Sequence, residues 1–95
     1  MFRAAIVSLI FVATPALATS HYHAQPIAKR TSDRLIVRDM LWNCDDAGCS
    51  AAKNHSRPGI VCSALARKVG PLASFSAGGT ALPPDELQKC NARAG

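Results

Sequence analysis

The sequence predicts a small α+β domain, held by two disulfides, with two β-hairpins and two short helices. Three observations lead there. The first is a leader that is not part of the working protein. Arg3 supplies a positive start, Ala4 to Ala13 is apolar apart from Ser8, Pro15 breaks the run, and Ala16-Leu17-Ala18 is a small-x-small cleavage site. The second is that all four cysteines lie downstream of that cut. The third is a switch between period-2 and helical spacing of apolar residues along the remaining chain. The expected organisation is a signal peptide over 1–18, a flexible N-terminal arm over 19–33 and a disulfide-stabilised domain over 34–95.

The arm is assigned on polarity and weak periodicity. Leu35 to Trp42, rich in β-branched and aromatic residues, reads as one strand, although Asp39 falls on the same face as Leu35, Val37 and Leu41. Asn43 to Cys49 is dense in turn formers and returns the chain into a short strand near Ser50 to Lys53. Ser56 is the expected N-cap of the first helix, with Pro58 in its opening turn and Gly70-Pro71 ending it. Val61, Leu65 and Val69 form its apolar stripe, flanked by Cys62 and Ala66. Leu72 to Ala77 reads as a strand, Gly78-Gly79 as a turn and Thr80 to Leu82 as the returning strand. Pro83-Pro84-Asp85-Glu86 opens the second helix, whose face carries Leu87, Cys90 and Ala94.

Cleavage after Ala18 leaves 77 of the 95 residues, Thr19 to Gly95. The leader's apolar run of about 10 residues is half of what a spanning helix needs, and no second such run follows. Thr19 rather than cysteine follows the cut, so no lipid anchor is expected there. The expected destination is the periplasm or the exterior, where thiols oxidise. A domain below about 80 residues seldom draws more than about 3–5 kcal/mol from its core and needs a staple.

Four cysteines allow three pairings. Cys44 and Cys49 flank a turn that brings them face to face, and Cys62 and Cys90 sit on the apolar faces of the two helices, so these two bridges are favoured. Zinc is the competing reading, but the spacings of four, twelve and twenty-seven residues lack the usual close pairs. Thiol–disulfide exchange is another; no C-x-x-C occurs, and Cys44/Cys49 is the pair expected to be more exposed.

The formal charge is +5, or +4 once Arg3 is removed. The basic residues look scattered, densest at Lys29, Arg30, Arg34 and Arg38, and aromatics are too few to stack bases. Nucleic acid is therefore not the expected partner. Trp42 reads as a core residue beside a disulfide, and Asp45-Asp46 as a turn without calcium spacing. His55 has no nucleophile motif beside it, and Asn54-His55-Ser56 matches a glycosylation sequon. No catalytic constellation emerges.

Cleavage after Ala18 creates one further site. A histidine third from a free amine, in Thr19-Ser20-His21, offers the amine, two deprotonated amides and an imidazole nitrogen in a plane. That geometry suits Cu(II) or Ni(II), and His23 is placed to add a ligand. No cofactor is otherwise required.

From Trp42 to Asn91 the chain resembles a family of short, four-cysteine exported proteins of Gram-negative bacteria with no assigned function. The residues that carry the likeness are Trp42-x-Cys44, Gly48-Cys49, Ser56-Arg57-Pro58 with Cys62, Ala64-Leu65-Ala66-Arg67, Ser74-Phe75-Ser76 and Cys90-Asn91. The resemblance implies a periplasmic or secreted location and no catalytic residues, and Thr19-Ser20-His21 lies outside the likeness. The expected function is a non-enzymatic interaction module for an envelope protein or cell-wall component. Copper or nickel binding at the N-terminus and thiol exchange at Cys44/Cys49 are the alternatives.

Overall fold

A computed structural model describes residues 20–94; the expected leader over 1–18, Thr19 and Gly95 lie outside that range. Its elements, in chain order, are β1 (Tyr22–Pro26), β2 (Asp33–Val37), β3 (Met40–Asp45), β4 (Gly48–Ala51), α1 (Pro58–Val69), β5 (Leu72–Ala77), β6 (Thr80–Ala81) and α2 (Pro84–Asn91). The strands form one antiparallel sheet in the order β2-β3-β4-β1-β5-β6. Both helices contact the sheet, and the core lies between them and it. The α+β class is thus observed, with the expected hairpins merged into a single six-stranded sheet.

The expected flexible arm over 19–33 requires correction. Tyr22–Pro26 is an inner strand, antiparallel to β4 on one side and to β5 on the other. Its burial alternates: Tyr22, Ala24 and Pro26 face the core, His23 and Gln25 face out. The period-2 signal was present but carried by Ala and Pro, weak markers of a strand. Tyr22 anchors it, since its hydroxyl donates to the Asn54 carbonyl at 3.0 Å. Beyond β1 the chain stays tied, with Arg30 and Asp33 paired at 2.8 Å.

The expected strand over Leu35 to Trp42 is two strands. Arg38 and Asp39 have φ of 49° and 63°, both left-handed, and form the two-residue turn between β2 and β3. Such a turn matches sheet twist but usually announces itself with Asn-Gly or Asp-Gly. The turn places Val37 opposite Met40 and Leu35 opposite Trp42. It also explains Asp39, which sits in the turn and not on the apolar face. The next strand begins at Gly48 rather than Ser50. Its preceding turn is closed by the Asp45 carboxylate, which accepts from the Ala47 amide at 2.9 Å.

The two helices fall where the sequence places them. In α1 the buried stripe is Val61, Cys62, Leu65, Ala66 and Val69, and Gly70 ends the helix with φ of 87°. The N-cap is Arg57, not Ser56, and no side chain caps it; the Ser56 amide instead donates to the Asn54 Oδ1 at 2.9 Å. Cys44–Cys49 and Cys62–Cys90 are both bridged, as the sequence favoured. Trp42, Tyr22 and Phe75 form the centre of the core, their ring centroids 6.0–6.5 Å apart. Trp42 is 0 % exposed, so it is structural.

α2 is tied to the sheet by Asn91 as well as by the bridge. β6 covers only Ser76 and Ala77 of β5, which leaves Leu72 without a β6 partner. The Asn91 side chain fills that role: its Oδ1 accepts from the Leu72 amide and its Nδ2 donates to the Leu72 carbonyl, both at 2.8 Å.

Candidate functional site

The charges that look scattered along the chain are gathered by the fold. A groove with a volume of about 820 Å³ runs along the outer face of α1, between α2 and the β2–β3 turn. Arg38, Arg57, Arg67, Lys68, Lys89 and Arg93 line it, six of the ten lysines and arginines among the described residues. Of the six acids only Glu86 does so. The cause is helical spacing. Ile60, Ser63, Ala64 and Arg67 share the α1 face opposite the buried stripe, Glu86 and Lys89 share one face of α2, and Arg93 follows in the turn after that helix. The Cys62–Cys90 bridge brings the helices side by side, and Glu86 approaches Gly59, so they run in the same direction.

The floor is apolar. Val37, Ile60, Ala64 and Leu82 line it, and Ile60 remains 43 % exposed. Glu86 neutralises little: its contact with Lys89 is 3.8 Å long and solvent-exposed, a class worth about 0–1 kcal/mol. Among the described residues Arg38, Arg57, Arg67, Lys68 and Arg93 have no ion-pair partner. Arg67 and Lys68 sit in the last turn of α1, where the dipole favours cations. Arg57 sits at the opposite end, where the dipole disfavours a cation and no acid occupies the first turn. Helix stability therefore does not account for Arg57.

The residues singled out from sequence fall elsewhere. His21 and His23 lie at β1, away from the groove, and Thr19 lies outside the described residues. Ser20 is exposed. The His21 amide donates to the Ala51 carbonyl at 2.9 Å, its carbonyl accepts from Gly78, and its ring packs edge-on against Tyr22 with centroids 4.7 Å apart. A planar chelate needs that same amide as a deprotonated ligand, so in the fold it forms only at the expense of the Ala51 bond. Among the described residues no three His, Cys, Asp or Glu side chains come together as metal ligands.

Cys44 and Cys49, expected to be the more exposed pair, are so only by a small margin, and both bridges are buried. Each is 3 % exposed, against 0 % and 2 % for Cys62 and Cys90. The alternation of β3 turns Met40, Trp42 and Cys44 together toward the core. A thiolate attacking this bridge first has to open the sheet.

A family model described as a family of unknown function (DUF8200) matches residues 6–92. The chain belongs to this family. Membership in DUF8200 covers more than the stretch from Trp42 to Asn91 that carried the resemblance. It takes in β1 and Thr19-Ser20-His21, so that segment is within the family's span and not apart from it. No curated protein and no solved structure matches the chain. Among the described residues no helix is long and apolar enough to cross a membrane.

Proposed function

We propose that this DUF8200 protein is an exported, non-enzymatic interaction module of the cell envelope, whose working surface is the basic groove beside α1 and whose partner is anionic. The single observation that carries the reading is charge segregation: six cations and one acid line one groove with an apolar floor. Gathering like charges costs stability through self-repulsion, so a fold that does so with only the long, exposed Glu86–Lys89 contact to offset it among the described residues is better explained by an external counter-charge. Two buried bridges are compatible with an oxidising, exported location. All four cysteines are occupied in those bridges, which supports a scaffold over a thiol catalyst.

The test compares two charge reversals of equal size. Arg67→Glu with Arg93→Glu acts inside the groove; Arg34→Glu with Lys53→Glu acts outside it. The mature protein and both variants are eluted from immobilised heparin, a polyanion, in a salt gradient. The groove pair should elute at markedly lower salt than the outer pair. Equal elution of the two variants refutes the groove as the anion-binding surface, because the net charge change is the same in both.

A further inference from the structure

We infer that the groove takes an acidic, amphipathic segment of a partner polypeptide. This rests on the reading of the groove as the working surface. Three features select the occupant. The cations are spread along the groove, from Arg57 at the start of α1 to Arg67 at its last turn, about 15 Å at 1.5 Å per residue. Spacing of that kind suits a chain of several negative charges and not one compact headgroup. The surface is concave, walled by α2 on one side and by the turn bearing Arg38 on the other, so it fits a protruding segment better than a flat bilayer. The floor is apolar and includes the half-exposed Ile60, which a hydrated sugar polymer leaves unsatisfied. A segment with aliphatic residues on one face and Asp or Glu beside them matches floor and rim together, in the manner of a helix laid in a groove.

The experiment is selection of a random 12-residue peptide library on the immobilised mature protein, followed by titration of the enriched peptides. Vesicles of phosphatidylglycerol serve as a second arm. The expected result is enrichment of peptides that combine acids with aliphatic residues at i, i+3 or i+4 spacing. Their affinity should fall about ten-fold or more in Arg67→Glu with Arg93→Glu, and about three-fold or more in Ile60→Ala. Ile60 is partly exposed and the two arginines are on the surface, so far-UV circular dichroism of these variants should match the parent. No enrichment, enrichment without acids, or affinity indifferent to Ile60→Ala overturns the inference. If the vesicles bind and the groove reversal abolishes it while no peptide is enriched, the groove stands as an anion surface and its occupant is lipid. If neither probe binds through the groove, the proposed function fails with it.

Discussion

Removing the Asn91 side chain should cost more than a residue near the C-terminus ordinarily does. Its amide supplies one acceptor and one donor to Leu72, each bond 2.8 Å long. Leu72 is 1 % exposed, so water does not readily replace either partner. Asn91→Ala loses two bonds worth about 1 kcal/mol each and strands two backbone groups, for a total of about 2–4 kcal/mol. A domain this small stands near the lower end of the usual range of about 5–15 kcal/mol. With a urea slope of about 1 kcal/mol/M, the midpoint should drop by about 2 M or more at unchanged slope. Asn91→Asp separates the two bonds. At neutral pH the carboxylate still accepts from the Leu72 amide but faces the Leu72 carbonyl with no proton to donate. Protonation restores the donor, so the folded-state pKa of that carboxyl lies above its unfolded value of about 3.9. A raised folded pKa means the native state binds more protons. The variant's stability relative to the parent should therefore be greatest below about pH 4 and fall as pH rises through the folded pKa. Urea titrations of all three proteins at pH 4 and pH 7 read this directly. An Asn91→Ala cost within about 0.5 kcal/mol of zero, or an Asn91→Asp deficit that does not shrink on acidification, refutes the bidentate account.

Further outcomes can be stated briefly. Cys62→Ala should destabilise more than Cys44→Ala: the bridges span 28 and 5 positions, corresponding to about 3.5 and 2 kcal/mol of loop entropy, and equal denaturant midpoints would count against that ordering. Gly48→Ala should cost about 2 kcal/mol or more, because φ is +133° and a Cβ there meets the Ala24 carbonyl oxygen at 2.7 Å; thermal unfolding checks it. In protein beginning at Thr19, saturating Cu(II) should lower Tm, since the chelate forms freely in the unfolded chain but breaks the His21–Ala51 bond, worth about 1 kcal/mol, in the native one. A rise in Tm would show a metal site compatible with β1, and His21→Ala should remove either effect. Intact mass of protein exported by its own leader should start at Thr19 and lack about four hydrogens, two per bridge.

The elements that were legible in the sequence share one property: their signals are local. Helix α1 carries its stripe, its proline and its terminal glycine within thirteen residues, Pro58–Gly70, and the structure places each of them as expected. β5 is bounded by Pro71 and Gly78 and appears where the sequence puts it. The Cys44–Cys49 pairing follows from one turn, and Cys62–Cys90 from two helical faces. β1 was not legible because its strand character comes from its neighbours. Tyr22-His23-Ala24-Gln25-Pro26 has little β propensity of its own, and β4 and β5, which flank it, lie more than twenty residues downstream. The Arg38-Asp39 turn was hidden for a related reason. Arg38 is not a turn marker and Asp39 is not followed by the glycine that usually signals such a turn, and the left-handed φ at both accompanies a register that sets Val37 opposite Met40 and Leu35 opposite Trp42.

The groove is the extreme case of that dependence. Its cations come from four separate places in the chain: Arg38 in a turn, Arg57 at a cap, Arg67-Lys68 at the end of α1, and Lys89 on α2 with Arg93 just past its end. In linear order acids stand among or beside several of them, with Asp39 after Arg38 and Asp85-Glu86 before Lys89. A count along the sequence therefore reads a mixed, solvated surface. The fold reverses this by geometry alone, since among the described residues Asp39 and Asp85 do not line the groove. The Cys62–Cys90 bridge is what fixes α2 beside α1, so the same covalent bond that stabilises the small core also juxtaposes the positive charge of both helices. Stability and the charged surface are thus coupled through one bond. Reduction of Cys62–Cys90 should loosen the groove before it unfolds the sheet, since β3, β4 and β1 are held independently by the Cys44–Cys49 staple, their ladders and the Tyr22–Trp42–Phe75 core.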